Sequence, residues 1–302
     1  MAAARLTETR SDPNPLRQAC KRWRHGSIGL ALAAMIAASG CAIAQDSPKA
    51  FRPCIDPNNL PFSNTQGEGF ENHIADLFAQ KLGLPVQSYA FPQRMNFIRN
   101  TLRYRLPGED FRCDVVMGVP AGYDQVSATK PYYRSTYMLV FAKGKRLDAV
   151  KTGDDLFALP TEERNRLTIG IFDRSPASVW LAKHGMELQA KPYPMMSPDP
   201  DQYPGEIIEK DLAQGKIDAA VVWGPIAGYY AKRVRNLDLV LVPLKSENGV
   251  KFDYEIAMGV RYGEPKWKET VESLIADNRA AIMQILREYN VPLVDERGDI
   301  VR

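Results

Sequence analysis

The stretch from Cys54 to Asn72 constrains the fold more than any other part of the chain. It reads C-I-D-P-N-N-L-P-F-S-N-T-Q-G-E-G-F-E-N and connects a short apolar run to the start of an amphipathic helical pattern. Pro57 and Pro61 fix the backbone angle φ, while Ser63 and the asparagines can bond to neighbouring backbone in turns. Open α/β folds bind their ligands at such connections between a strand and a helix. The segment therefore predicts an α/β fold with a binding site at this connection.

The first 44 residues have the pattern of a secretory signal peptide. A basic region that ends at Arg24 precedes an apolar run over 28–38, and residues 42–44 read A-I-A, which is typical of a cleavage site. The apolar run is shorter than the roughly 20 residues that a membrane span requires. Residues 38–41 (A-S-G-C) loosely resemble a lipoprotein signal, but the Leu that begins such a signal is missing. We expect a periplasmic protein with no membrane span.

The charge of the chain depends on this leader. The leader contains six of the 39 Lys and Arg residues and two of the 36 Asp and Glu residues, so 33 basic and 34 acidic side chains remain. A nucleic-acid-binding protein would need a net basic face. The nearly neutral remainder therefore argues against nucleic acid as a partner.

Cys54 and Cys113 are the two cysteines that remain without the leader. Each adjoins a short apolar run that is typical of a strand. Two lone cysteines on neighbouring strands of a periplasmic protein favour a disulfide, because that compartment is oxidising. Two buried free thiols are the alternative.

Strand and helix signals alternate along the chain and indicate two similar α/β units. In the first unit, apolar residues recur at helical spacing over 70–82, and Gly83 is suited to end that helix. The second unit begins near Leu167. A final apolar stripe over 267–286 predicts one long helix that starts near Pro265 and packs on the core.

Two α/β units joined by two extended crossings predict a two-lobed protein with a cleft between the lobes. We expect residues 1–44 to be the signal peptide. Lobe I is predicted to be discontinuous, with residues 45–142 and 249–302, and lobe II to comprise residues 143–248.

Five motifs occur in a fixed order along the first half of the chain. They are C-x-D-P-N-N-L-P-F-S-N from Cys54, G-E-G-F-E-N from Gly67, F-P-Q-R from Phe91, R-C-D-V-V-M-G-V-P from Arg112 and P-Y-Y-R-S-T-Y from Pro131. In this order they resemble the quinoprotein dehydrogenase-associated proteins of the MxaJ/XoxJ type, which belong to methanol-oxidation clusters. W-G-P-I-A-G-Y and A-M-G-V-R extend the resemblance over essentially the whole mature chain. It implies a type II periplasmic binding protein fold, with two α/β lobes and an interlobe cleft.

Amino-acid receptors of the wider superfamily resemble this chain, but the two charged residues with which they bind the ligand are missing here. Such receptors typically carry an Arg for the ligand carboxylate in the region that is 118–133 here, where Gly122 or Tyr123 stands instead. Neither residue can replace the planar fork of Arg. Where those receptors tend to hold the ligand ammonium with an Asp, this chain has Trp223. We therefore do not expect an ordinary amino-acid receptor.

The cleft is predicted to use polar residues of the first connection together with aromatic and Arg side chains. Aromatic residues and Arg supply much of the binding energy at protein interfaces. The candidate cleft or partner-binding residues are Asp56, Asn58, Asn59, Phe62, Asn64, Phe70, Glu71, Asn72, Phe91, Arg94, Tyr123, Tyr132, Tyr133, Arg134 and Trp223. Four of them, Asp56, Asn58, Asn59 and Glu71, could offer oxygen ligands to a cation. Their spacing departs from an EF-hand, so a turn network is favoured over a metal site.

The sequence contains no recognisable catalytic residue set and no cofactor-binding motif. His73 and His184 stand alone on helices, and neither has a Cys or Ser partner in triad spacing. Residues 67–69 read G-E-G and place a carboxylate where it would repel a phosphate, so no nucleotide is expected. We predict no enzyme activity and no cofactor.

The resemblance implies an accessory protein of a periplasmic PQQ-dependent methanol dehydrogenase. Our hypothesis is that the cleft engages a segment of the dehydrogenase and assists its maturation or activation. A receptor of an ABC importer, for a small molecule or peptide other than a standard amino acid, is the main alternative. A carrier of PQQ or of a rare-earth ion is a third, but the carboxylates are too sparse to favour it.

Overall fold

The structure is a computed structural model that describes residues 48–93, 96–195, 199 and 201–301. The predicted signal peptide and the candidate residue Arg94 lie outside the described residues. Among those described, no helix is long and apolar enough to cross a membrane. All features below belong to the unit that begins at Ser47.

Twelve strands and eight α-helices are described. The strands are β1 (Pro53–Ile55), β2 (Asn58–Asn59), β3 (Ser63–Asn64), β4 (Tyr89–Ala90), β5 (Val115–Pro120), β6 (Ser127–Ala128), β7 (Tyr133–Ala142), β8 (Ile169–Phe172), β9 (Ala190–Tyr193), β10 (Ala219–Trp223), β11 (Leu239–Pro243) and β12 (Asp253–Val260). The helices are α1 (Phe70–Leu82), α2 (Phe97–Asn100), α3 (Gly153–Ala158), α4 (Thr161–Arg164), α5 (Pro176–Lys183), α6 (Gly224–Arg233), α7 (Pro265–Asp277) and α8 (Arg279–Glu288). A 3₁₀ turn covers Glu187–Gln189, and a π-helical segment covers Ile207–Leu212.

Strand β7 is shared by the two α/β units. Its first part, from Tyr133 to Thr136, pairs antiparallel with β12, and its second part pairs with β10 and β11. On one side β1 runs parallel to β4 and β5, and on the other β8 runs parallel to β9 and β10. Parallel strands with helical crossovers are the α/β arrangement that the alternating signals predict. The residue bounds assigned to the two lobes remain a prediction.

Separate apolar cores lie on the two sides of β7. One surrounds α1, β5 and β12 and includes Phe70, Met117 and Leu286. Another surrounds β8 and β10 and includes Trp180 and Val221. Each unit therefore buries its own apolar residues, as a two-lobed protein requires.

Helix α1 begins and ends where the sequence predicts. Its last turn is closed by Gly83, which has a φ of 66° and donates to the carbonyls of Ala79 and Gln80. Glycine adopts this left-handed conformation without a steric penalty, which is why it ends helices so often. The apolar positions Ile74 and Phe78 are fully buried, so the helical spacing identified the core face.

The prediction of one long final helix is wrong, because α7 and α8 are separated at Asn278. Asn278 leaves the helical region with φ −113° and ψ 18°, and its Nδ2 donates to the Leu274 carbonyl at 2.9 Å. The Asn278 backbone N–H donates to the same carbonyl at 3.2 Å, so one acceptor serves both groups where α7 ends. The apolar stripe is nevertheless core, since Val271 and Leu286 are fully buried.

The predicted disulfide between Cys54 and Cys113 is confirmed. Cys54 lies in β1, and Cys113 lies two residues before the parallel strand β5, with the two Cα atoms 5.3 Å apart. Both cysteines are buried against α2, near Ile98 and Leu102. The bridge therefore fastens the strand that leads into the first connection.

Replacing both Cys54 and Cys113 by Ala should lower the free energy of unfolding by about 4 kcal/mol, because the bridge closes a loop with a sequence separation of 59 residues. Urea denaturation of the oxidised chain and of the variant measures the difference. The reduced wild type is the control and should be nearly as unstable as the variant. Free thiols in the denatured, unreduced protein, or equal stability of the two forms, would contradict the prediction.

Candidate functional site

A cleft with two adjoining cavities lies beside the first connection. The outer cavity, of about 480 Å³, is bounded by residues of the β1–α1 connection, by Phe172 and by described residues between Tyr193 and Ile207. The inner cavity, of about 210 Å³, lies deeper against β5 and β12. Asp56, Asn59 and Gln93 line both cavities.

Asp56 organises the wall between the two cavities. One carboxylate oxygen accepts from the Asn58 backbone N–H at 2.8 Å, and the other accepts from the backbone N–H of Gln93. The Asp56 N–H donates to Ser63 Oγ at 3.0 Å. Asn59 Nδ2 donates to Gln93 Oε1 at 2.8 Å. These bonds form the turn network that the sequence favours, and they tie the connection to Gln93.

Asn64 and Asn72 fasten the second half of the connection to α1. Asn72 Oδ1 accepts from the backbone N–H of Asn64 at 3.1 Å and of Gly69 at 3.0 Å. Asn64 in turn bonds both the backbone and the carboxylate of Glu68. Both asparagines are buried, and neither is among the described lining residues of the two cavities. The structure therefore places these two candidates beneath the cleft wall.

Glu71 is the acidic group of the inner cavity. It is 9% exposed, and burial, with a further contribution from the charge of Asp56, raises the pKa of its carboxyl to about 8. Within the described part of the chain, no hydrogen bond or ion pair reaches this carboxyl. A Cβ at position 118 would lie 2.5 Å from Glu71 Oε1, so Gly118 provides the space that this side chain occupies. The carboxyl is thus buried, uncompensated and open to the cavity.

Aromatic side chains form much of the remaining wall of the inner cavity. Phe62, Tyr133 and Trp223 line it together with Ile256. Trp223 comes from the end of β10 and packs on Tyr137, with ring centroids 5.4 Å apart. The cavity therefore combines residues of both α/β units.

Two candidate aromatics support this wall from behind. Phe70 is fully buried and packs edge-on against Tyr133 and tilted against Phe62, with centroid distances of 6.2 and 5.4 Å. Tyr132 is also buried, and its hydroxyl donates to the Met117 carbonyl at 2.8 Å. Burial raises the pKa of the Tyr132 hydroxyl well above its usual value.

The remaining candidates lie away from both cavities or outside the described residues. Phe91 extends the β1 ladder through a backbone bond to Ile55, and Tyr123 packs against the core around the disulfide. Arg134 faces Asp253, with a nitrogen–oxygen distance of 3.5 Å. Arg94 follows Gln93 in the chain but is not described.

Several lining residues were not predicted from the sequence. Gln93 lines both cavities, and Phe172, Asp201, Tyr203 and Glu206 line the outer one. Phe172 ends β8, so its position at a strand end was a usable signal. The others follow proline-rich or irregular stretches whose course a local pattern does not specify.

The cleft lining is acidic. The described residues that line the two cavities include five carboxylates and no Lys, Arg or His; the acids are Asp56, Glu71, Asp199, Asp201 and Glu206. Among the described residues, no group of three or more His, Cys, Asp or Glu side chains is arranged to hold a metal ion. The two histidines serve packing, since His184 stacks on Phe157 and His73 lies against Tyr289.

The chain is similar to curated proteins named MoxJ. The chain is 26% identical to the protein MoxJ of Paracoccus denitrificans over 275 residues, which are 85% of this chain and 95% of MoxJ. No protein-family model matches it.

Two crystal structures have the same fold. The periplasmic binding protein XoxJ from Methylobacterium extorquens AM1 is 33% identical with a TM-score of 0.63, and the match covers 82% of this chain and all of XoxJ. MxaJ from Methlophaga aminisulfidivorans MPT is 22% identical with a TM-score of 0.67 over 81% of this chain and all of MxaJ, which at that identity shows the fold alone. These matches confirm the predicted two-lobed periplasmic-binding fold.

Glu71→Gln should remove a pH dependence of stability. A raised pKa means that the folded protein retains a proton that the unfolded chain loses near its ordinary value of 4.5. The free energy of unfolding of the wild type should therefore fall relative to the variant as pH rises from about 4.5 to about 8, by about 5 kcal/mol in total, and stay level above that. Urea denaturation across this pH range measures it.

Glu206→Gln is the matched control, because it neutralises an acid of the outer cavity and should keep the wild-type profile. Parallel profiles for the wild type and Glu71→Gln would show that the carboxyl is not held in an unfavourable environment.

Proposed function

The chain belongs to the MxaJ/XoxJ family of methanol-oxidation-associated periplasmic binding-like proteins, and we propose that it is a non-catalytic periplasmic accessory protein of a PQQ-dependent methanol dehydrogenase. Its cleft engages a segment of the dehydrogenase and assists maturation or activation. One observation carries this proposal. The inner cavity has aromatic walls and an unpaired acid, and no cationic side chain among its described lining residues.

A cleft of this composition suits a protein segment better than a free amino acid. A free amino acid brings a carboxylate, and no described lining residue of the inner cavity supplies a cation to pair it. A peptide segment has no such charge at its backbone. Its side chains can pack on Trp223 and Phe62, and aromatic anchors of this kind contribute strongly to protein binding.

Assistance in maturation follows from such a contact. A segment bound in the cleft is held away from the body of the dehydrogenase, which leaves the dehydrogenase accessible while its cofactor or metal enters. The accessory protein needs no catalytic group for this role. It acts by binding one state of its partner more tightly than another.

A solute receptor for an ABC importer is the second candidate, because the outer cavity of about 480 Å³ is within the size range of small-molecule sites. A true receptor must be stabilised by its ligand. A thermal-shift screen of uncharged and cationic solutes separates the two: a large stabilisation by one solute supports the receptor.

Trp223→Ala should reduce capture of the methanol dehydrogenase from periplasmic extract by at least about tenfold, since a central aromatic anchor contributes about 2 kcal/mol or more. Immobilised chain and quantitative immunoblotting of the dehydrogenase measure it. Tyr262→Ala, which removes an exposed aromatic outside both cavities, is the control and should capture as the wild type does. No capture by the wild type, or equal capture by Trp223→Ala, would count against the proposal.

A further inference from the structure

The unpaired Glu71 carboxyl is the feature of the molecule that most requires a ligand. A buried ionisable group is normally paired or hydrogen-bonded, because leaving it alone in an apolar environment is unfavourable. Glu71 has neither kind of partner among the described residues, although it is nine-tenths buried. Its atoms face the inner cavity, so a group placed in that cavity can reach it.

The Tyr133 hydroxyl is a second unpartnered polar group at the same place. Tyr133 is buried and lines the inner cavity, and no hydrogen bond from the described residues reaches its hydroxyl. The charge of Glu71 adds to burial in raising the pKa of this hydroxyl, which reflects how near the two groups are. Carboxylate and hydroxyl together offer acceptor oxygens to one guest group.

The rings around these oxygens favour a cation over a neutral guest. Trp223 and Phe62 line the same cavity, and aromatic faces attract ammonium groups, most strongly where water is excluded. Asp56 adds negative charge on the wall that the inner and outer cavities share. No described lining residue supplies a competing positive charge.

The shape of the site favours lysine over arginine. An ammonium is a compact charge with three donors on a flexible apolar stem, whereas a guanidinium has five donors in a rigid fork. The acceptors without a described partner here are one carboxylate and one hydroxyl, set among Phe62, Val116 and Ile256. An arginine would leave donors unsatisfied against these apolar side chains, while a lysine stem can pack on them.

We propose that the inner cavity is a binding site for the ammonium group of a lysine side chain, with Glu71 and Tyr133 as its acceptors. The lysine belongs to the segment of the partner protein that the cleft engages, and in this respect the inference rests on the proposed function. Binding of the ammonium releases the proton that the buried carboxyl otherwise holds and pairs the carboxylate, so the partner relieves the penalty of an acid buried without a partner.

The test is a titration of the chain, purified from periplasm, with acetyl-Gly-Lys-Gly-amide, followed by NMR at the indole N–H of Trp223. Three probes accompany it: the same peptide with an acetylated lysine Nζ, free lysine, and n-butylamine. The capped lysine peptide should bind at least about tenfold more tightly than each of them, because the acetyl group removes the charge, free lysine adds a carboxylate, and butylamine lacks the backbone contacts. Equal binding of the acetylated peptide would overturn the cation site, and equal binding of butylamine would overturn its assignment to a protein segment.

Glu71→Gln should weaken binding of the lysine peptide at least about tenfold, and Glu187→Gln, which neutralises an exposed acid outside both cavities, by less than about threefold. Tyr133→Phe keeps the ring and removes the hydroxyl, and its affinity for the lysine peptide should lie between those of the two other variants. Equal affinities of Glu71→Gln and wild type, in variants that retain the wild-type circular dichroism spectrum, would overturn the role of Glu71.

Dehydrogenase capture by Glu71→Gln separates this inference from the proposed function. Reduced capture supports both. Undiminished capture leaves the proposed function in place and overturns the lysine contact. Lysine-peptide binding without any capture by the wild type would overturn the proposed partner and retain the cation site.

Discussion

The buried amide of Asn72 is the interaction on which the cleft depends. Through one oxygen it holds the backbone of Asn64 and of Gly69, and so joins the connection to the first turn of α1. Glu71 lies next to it in that turn and is carried into the inner cavity by the same geometry. Without the amide, two buried N–H groups would lose their acceptor, which is unfavourable by about 1–3 kcal/mol each. The position of the unpaired acid is therefore a consequence of how the helix begins.

Strand β7 joins the two α/β units and so brings Trp223 of the second unit to the inner cavity of the first. Its register aligns Tyr137 with Trp223 of β10, while its start contributes Tyr133 to the opposite wall. A change in the pairing of this one strand would shift every side chain to the other face of the sheet. The inner cavity is thus built from a helix turn, a shared strand and a strand end, and none of these can be displaced without the others.

Local signals predicted those parts of the fold that local interactions determine. Gly83 ended α1 because a single residue decides a helix end. The pairing of Cys54 with Cys113 was predicted from the cysteine count and the oxidising compartment, although the two residues are 59 apart in sequence. The break at Asn278 was missed because the apolar stripe continues across it, with Val271 and Leu286 both buried. Gln93 was missed for a different reason: its place in both cavities comes from contact with Asp56, which is distant in sequence. No periodic pattern of residues in the sequence indicates a long-range contact of this kind.

Glu71 departs from the usual environment of an acid at the start of a helix, and only the three-dimensional structure shows this. An acid in the first turn of a helix is ordinarily a favourable and exposed residue, because it complements the helix dipole. Here the β1–α1 connection covers Glu71, and burial raises the pKa of its carboxyl to about 8. Glutamine would fit the same space without that penalty, and a folded protein gains nothing from the charge alone. The chain therefore retains a group that destabilises its free form, and such a group is explained most simply by what enters the cavity beside it.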